Sequence, residues 1–146
     1  MHFLTRYFVL FPLTLALSFL SVSCSENKSS QCDKIIKVNN EVVSQTKTVA
    51  NGGRSIDPKA ALQVADAMEK ASQQMKSIRV SDTKLKDYQS RFMNMYRDTS
   101  KATREFVFAF EKKDRPAVET ALTKLQKATS PEKQLVEEIN SYCSAK

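Results

Sequence analysis

Three cysteines, Cys24, Cys32 and Cys143, carry the most specific chemistry in this chain. Thiols can pair, bind soft metals or carry an adduct, and an odd number in an oxidising compartment leaves one needing a separate role. The count alone leaves Cys32–Cys143, Cys24–Cys32 with Cys143 over, and unpaired thiols all open. Other reactive groups are scarce. The single histidine is His2, at the very start, so the rest of the chain has no imidazole for a general base, a Ser–His pair, a zinc site or a haem ligand. The Glu-x-x-His repeats of di-iron bundles and the Cys-x-x-Cys-His haem attachment pattern are both missing. The two glycines are neighbours, Gly52 and Gly53, and cannot build a phosphate-binding loop. No metal and no cofactor is expected.

Weaker signals remain. Glu137 and Glu138 are paired carboxylates, but adjacent residues on a helix diverge and read as surface charges. Met68, Met75, Met93 and Met95 could offer thioethers to a soft metal; most fall on apolar faces, where Met ordinarily fills the core. Arg97, Lys101 and Arg104, with Arg91 near them, form a basic strip that would attract anionic headgroups or acidic surfaces, diluted by Asp98 and Glu105. Phe106, Val107, Phe108 and Phe110 put more apolar bulk on one turn than a single stripe needs. Phe108 should point away from the Phe106–Phe110 face. Either the bundle widens there, or Phe108 is exposed beside Lys112, Lys113 and Arg115 as a contact site for a protein partner. Nothing positive supports an enzyme.

Residues 1–23 differ from the rest. They hold one basic residue, Arg6, no acidic one, and a nearly unbroken apolar run from Tyr7 to Leu20, followed by small residues up to Cys24. That is the three-part composition of a secretory signal. The run is shorter than the roughly 20 residues of a bilayer-spanning helix, and contains Pro12. Leu20-Ser21-Val22-Ser23-Cys24 resembles the lipobox of bacterial lipoproteins, with the favoured Leu one place early. Ser21 and Ser23 would also suit an ordinary signal peptidase cutting before Cys24. The resemblance implies lipidation of Cys24, and hence one remaining pair, Cys32–Cys143. The chain as a whole resembles the small helical lipoproteins of bacterial envelopes. The implied location is a membrane surface facing the periplasm or the exterior, or the thylakoid lumen in a cyanobacterium. Export argues against nucleic acid as a partner.

The reading is therefore a signal peptide at 1–23, a polar lipid-anchored tether at 24–31 and one helical domain at 32–146. The whole chain carries a formal charge of +7 with two glycines and no Trp. All-β domains need many turns, so this composition favours long helices with few corners.

Periodicity marks four such helices. The first runs from about Cys32 to Ala50 on Ile35, Val38, Val42 and Val49, widened by Ile36 and Val43, and stops at Asn51-Gly52-Gly53. The second opens at Asp57-Pro58 and presents Ala61, Val64, Ala65, Met68, Ala71, Met75 and Ile78. The third carries Leu85, Tyr88, Phe92, Met95, Thr99, Ala102, Phe106 and Phe110, and breaks between Lys112 and Pro116. The fourth carries Ala117, Val118, Ala121, Leu122, Leu125 and Ala128, then continues past Ser130-Pro131 as one kinked helix or two nearly collinear pieces. The expected fold is all-α, an up-down-up-down four-helix bundle with the fourth helix kinked near Pro131. In that topology Cys32 and Cys143 fall at one end. The expected role is a non-catalytic envelope lipoprotein that binds a protein partner. The alternative is a carrier holding an apolar ligand between its helices.

Overall fold

Polar residues before Cys32 do more than link. The Asn27 side-chain oxygen accepts the Ser30 N–H at 2.8 Å, and its carbonyl accepts the Gln31 N–H at 3.2 Å. Both bonds satisfy donors that a helix start leaves free. The computed structural model describes residues 26–50 and 57–145. Within them α1 spans Lys28–Ala50, starting a turn earlier than Cys32. Lys28 to Gln31 are thus helical rather than a flexible tether, and Gln31 is 2% exposed. Residues 1–23, for which a signal peptide is expected, Cys24, and the expected helix stop at Asn51-Gly52-Gly53 lie outside the described residues.

Three aspartates start the next three helices. Asp57 accepts the Lys59 N–H at 3.0 Å ahead of α2 (Pro58–Ser77). Asp82 accepts the Leu85 N–H at 2.8 Å ahead of α3 (Thr83–Glu111). Asp114 accepts the Ala117 N–H at 3.1 Å ahead of α4 (Arg115–Thr129). α5 (Glu132–Ser144) follows without a side-chain cap. Ser130 and Pro131 keep right-handed helical dihedrals between α4 and α5. The described chain is all-helical, and no strand occurs among the described residues.

α3 is the organising element. It packs against α2 and α4, and also meets α5 and α1. Its first half enters the main core, where Tyr88, Phe92, Met95 and Tyr96 meet Ile35 and Val38 of α1, Met75 of α2, and Leu135 and Ile139 of α5. Its second half enters a smaller cluster, in which Phe106 and Val107 meet Ala121 and Val118 of α4 and Ala61 and Leu62 of α2. Buried Thr99, Ser100 and Thr103 lie between the two along α3. Thr103 Oγ1 donates to the Thr99 carbonyl at 2.8 Å, so the hydroxyl is satisfied inside its own helix.

The apolar stripes are buried unevenly. Met75 and Met95 are core, and Met68 and Met93 pack on its edge, which accounts for the thioethers by packing. Phe110 does not join the core: it is 41% exposed, one residue from the end of α3, stacked on Phe106 at 5.9 Å. Leu122 is 46% exposed, because α4 turns the smaller Ala121 inward. Val43 is also exposed.

Candidate interaction surface

The C-terminal turn of α3 sets the surface chemistry at its end. Successive helical residues turn by about 100°, so Val107 and Ala109 flank Phe108 on the inward side and both are buried. Phe108 itself is 60% exposed. The Lys112 ammonium sits 4.1 Å from the centre of its ring, in cation–π contact.

The corner that follows is tightly built. The Lys113 N–H donates to the Phe110 carbonyl at 3.0 Å, and the Asp114 N–H donates to the Ala109 carbonyl at 3.0 Å. This is the paired stop of a Schellman motif, which needs a left-handed residue. Lys113 supplies it, at φ 56°. Lys112, Lys113 and Arg115 are all exposed on this corner. Lys112 is the one that touches the Phe108 ring among the described residues.

At the other end of α3 the disulfide is present. Cys32 and Cys143 are bonded, with their Cα atoms 5.9 Å apart and a sequence separation of 111. The bond joins an early turn of α1 to the last turn of α5. Beside it lie two polar arrangements that periodicity does not register. Gln31 reaches the α2–α3 corner at Ser81. The Tyr142 hydroxyl donates to Asp82 Oδ2 at 2.8 Å, and Lys28 lies 4.1 Å from the Tyr142 ring centre. The Leu85 N–H and then the Tyr142 hydroxyl hold the Asp82 carboxyl below its ordinary range. Asp82 in turn raises the Tyr142 hydroxyl.

The basic strip is largely neutralised. Arg97 pairs with Asp98 at 3.0 Å and Arg104 with Asp66 at 2.6 Å. Arg91 reaches Glu138 at 2.7 Å and lowers its carboxyl. Glu137 faces Lys133 instead, so the adjacent carboxylates have separate partners. The strongest displacement belongs to Tyr96, whose hydroxyl burial raises well above its ordinary value. It donates to Asn39 Oδ1 at 2.7 Å, a structural bond between α3 and α1. Among the described residues no three or more His, Cys, Asp or Glu side chains are grouped to hold a metal. None of the described helices is long and apolar enough to cross a membrane. Comparison with known protein families, curated proteins and solved structures finds no match to this chain.

Proposed function

We propose that the chain is a non-catalytic envelope lipoprotein, anchored through Cys24, that binds a protein partner through the Phe108 end of α3. The observation that carries this reading is the 60% exposure of Phe108 beneath the Lys112 ammonium. A large ring left in water, rimmed by cations on a rigid corner, is the composition of a protein-contact anchor. The partner's complement would be an apolar pocket with acidic residues at its rim.

The finer architecture proposed with it is an up-down-up-down bundle in which α4 and α5 form one stave kinked near Pro131. Short corners favour it, and so does the bond between Cys32 and Cys143, which unites the chain ends of the bundle. An anchor at Cys24 would then sit close beneath the disulfide end, because three residues to Asn27 reach at most about 10 Å. Phe108 lies some 25 residues along α3 from Thr83, roughly 38 Å at 1.5 Å per residue. The partner would be met above the bilayer surface rather than in it.

Two measurements test the reading. Intact-mass analysis of membrane-extracted protein should give a chain beginning at Cys24 with a diacylglyceryl adduct; a soluble, unmodified product refutes the anchor. A photo-cross-linker at Lys112 in native membranes should give one discrete protein adduct that Phe108→Ala abolishes without lowering the melting temperature. A large fall in melting temperature would instead place Phe108 among the packing residues.

A further inference from the structure

α3 and the α4–α5 segment leave an open groove of about 510 Å³ between them. Its lining mixes apolar residues, Met95, Ala102, Ala128, Pro131 and Leu135, with Asn94 and Asp98 of α3. Arg91 and Glu105 are the first and last α3 residues along it, and an ion pair stands at each. Lys124 meets Glu105 at 2.7 Å, and Arg91 meets Glu138 at 2.7 Å.

Contacts fix the register across the groove. Phe106 and Val107 pack with Val118 and Ala121, and Glu105 pairs with Lys124. Residue numbers therefore fall on α3 as they rise on α4. One turn further toward Pro131, Lys101 comes opposite Lys127, and both line the groove. The carboxylates lining the groove are already engaged, Glu105 by Lys124 and Asp98 by Arg97. Neither Lys101 nor Lys127 has an ion-pair partner among the described residues. Lys101, which also acts electrostatically on Glu105, and Lys127 thus stand on opposite walls of the groove.

We propose that this groove binds a free single-chain fatty carboxylate, with its head between Lys101 and Lys127 and its chain along the floor toward Leu135. The head would bridge the two walls by taking charge-assisted hydrogen bonds from both ammonium groups. The chain would cover the floor. A small inorganic anion would leave that floor wet, and a peptide would set unpaired backbone groups against it. The volume lies within the ordinary range of ligand sites. From Ala102 to Arg91 the groove runs about 16 Å, room for an extended chain of about a dozen carbons. The site does not include Phe108, so it stands or falls independently of the function proposed above.

Calorimetric titration of the mature protein with dodecanoate, below its micelle concentration, tests the proposal. Saturable binding of one molecule per chain is expected. The double variant Lys101→Ala, Lys127→Ala should weaken it roughly tenfold or more, since two charged contacts are lost. Ala128→Phe, which fills the floor from a half-exposed position, should block it. Melting temperatures of both variants show whether they remain folded. The proposal is overturned by absence of saturable binding or by undiminished binding to the folded double variant. It is equally overturned if inorganic phosphate or uncharged dodecanol binds as tightly as dodecanoate.

Discussion

The Gln31 carboxamide grips Ser81 from both of its faces: its oxygen accepts the Ser81 N–H at 2.7 Å, and its nitrogen donates to the Ser81 hydroxyl at 2.9 Å. The same oxygen also takes the Asp82 N–H at 3.2 Å, and the nitrogen reaches the Glu26 carbonyl. One buried side chain thus ties the start of α1 to the α2–α3 corner, beside the helix cap at Asp82.

Replacing Gln31 by Leu keeps the bulk and removes those bonds. The Ser81 and Asp82 N–H groups then lose their partner, and stability should fall by about 1–3 kcal/mol. Urea unfolding measures this directly. Ser81 is exposed at its outer side, so a loss below about 0.5 kcal/mol would mean that water takes over the carboxamide's role.

Acid should weaken the fold through four carboxylates. Asp82, Glu26, Glu105 and Glu138 are all held below their ordinary pKa by hydrogen bonds and cations. A depressed folded pKa means that the unfolded chain binds the proton first. The stability these groups contribute is therefore complete above their unfolded values, near pH 4, and is lost as pH falls through the lower folded values. Melting temperature should stay level from pH 7 to 5 and drop below about pH 4. Asp82→Asn keeps a capping side chain but removes one titrating group, so its profile should be flatter. An unchanged profile would show that Asp82 does not contribute.

Much of this architecture is legible in residue types and spacing. Asp57 announces a helix start because it precedes Pro58 and an apolar stripe and can cap free N–H groups, and Asp82 and Asp114 play the same part in the structure. Asn27 escapes notice because no apolar stripe begins there; Ser25 to Gln31 is polar throughout. Its cap and the burial of Gln31 depend on a corner 50 positions away. Phe110 and Leu122 illustrate a second limit. Periodicity assigns a face to a helix, but neighbours decide how much of it is covered, and both residues lie where coverage runs out. Phe108 is the intermediate case. Its divergence from the Phe106 face is readable from helical phase, whereas its exposure depends on how the other described helices pack. The groove beside Pro131 is invisible to one-dimensional pattern, since Lys101 and Lys127 meet only through the register of two helices.

The Cys32–Cys143 bond closes a loop of 111 positions. In the chain-entropy account a loop near this length is worth about 4–5 kcal/mol, and measured values often fall short of it. Cys143→Ala should cost a few kcal/mol in oxidised protein, with helical circular dichroism retained at low temperature. The same variant should match reduced wild type in stability. If oxidised and reduced wild type unfold at the same denaturant concentration, the bond does not stabilise the fold.

Lys113 allows a gain rather than a loss. Its φ of 56° lies in the left-handed region, where a side chain with a Cβ pays about 1–2 kcal/mol and glycine does not. The backbone bonds around it, Lys113 N–H to Phe110 and Asp114 N–H to Ala109, need that dihedral and not the ammonium. Lys113→Gly should therefore raise stability by about 0.5–1 kcal/mol, after the larger entropy of glycine in the unfolded chain is subtracted. The removed cation subtracts a few tenths more, because positive charge at a helix C-terminus is favourable. Lys113→Ala isolates that electrostatic part, since alanine retains the Cβ, and should be slightly destabilising. Lys113→Pro cannot adopt the dihedral and should be strongly destabilising. The order Gly above Lys, Lys above Ala, and Pro far below would establish that the corner beside Phe108 is held by conformation. If glycine and alanine are equally stable, the left-handed geometry at this position is not what shapes the corner.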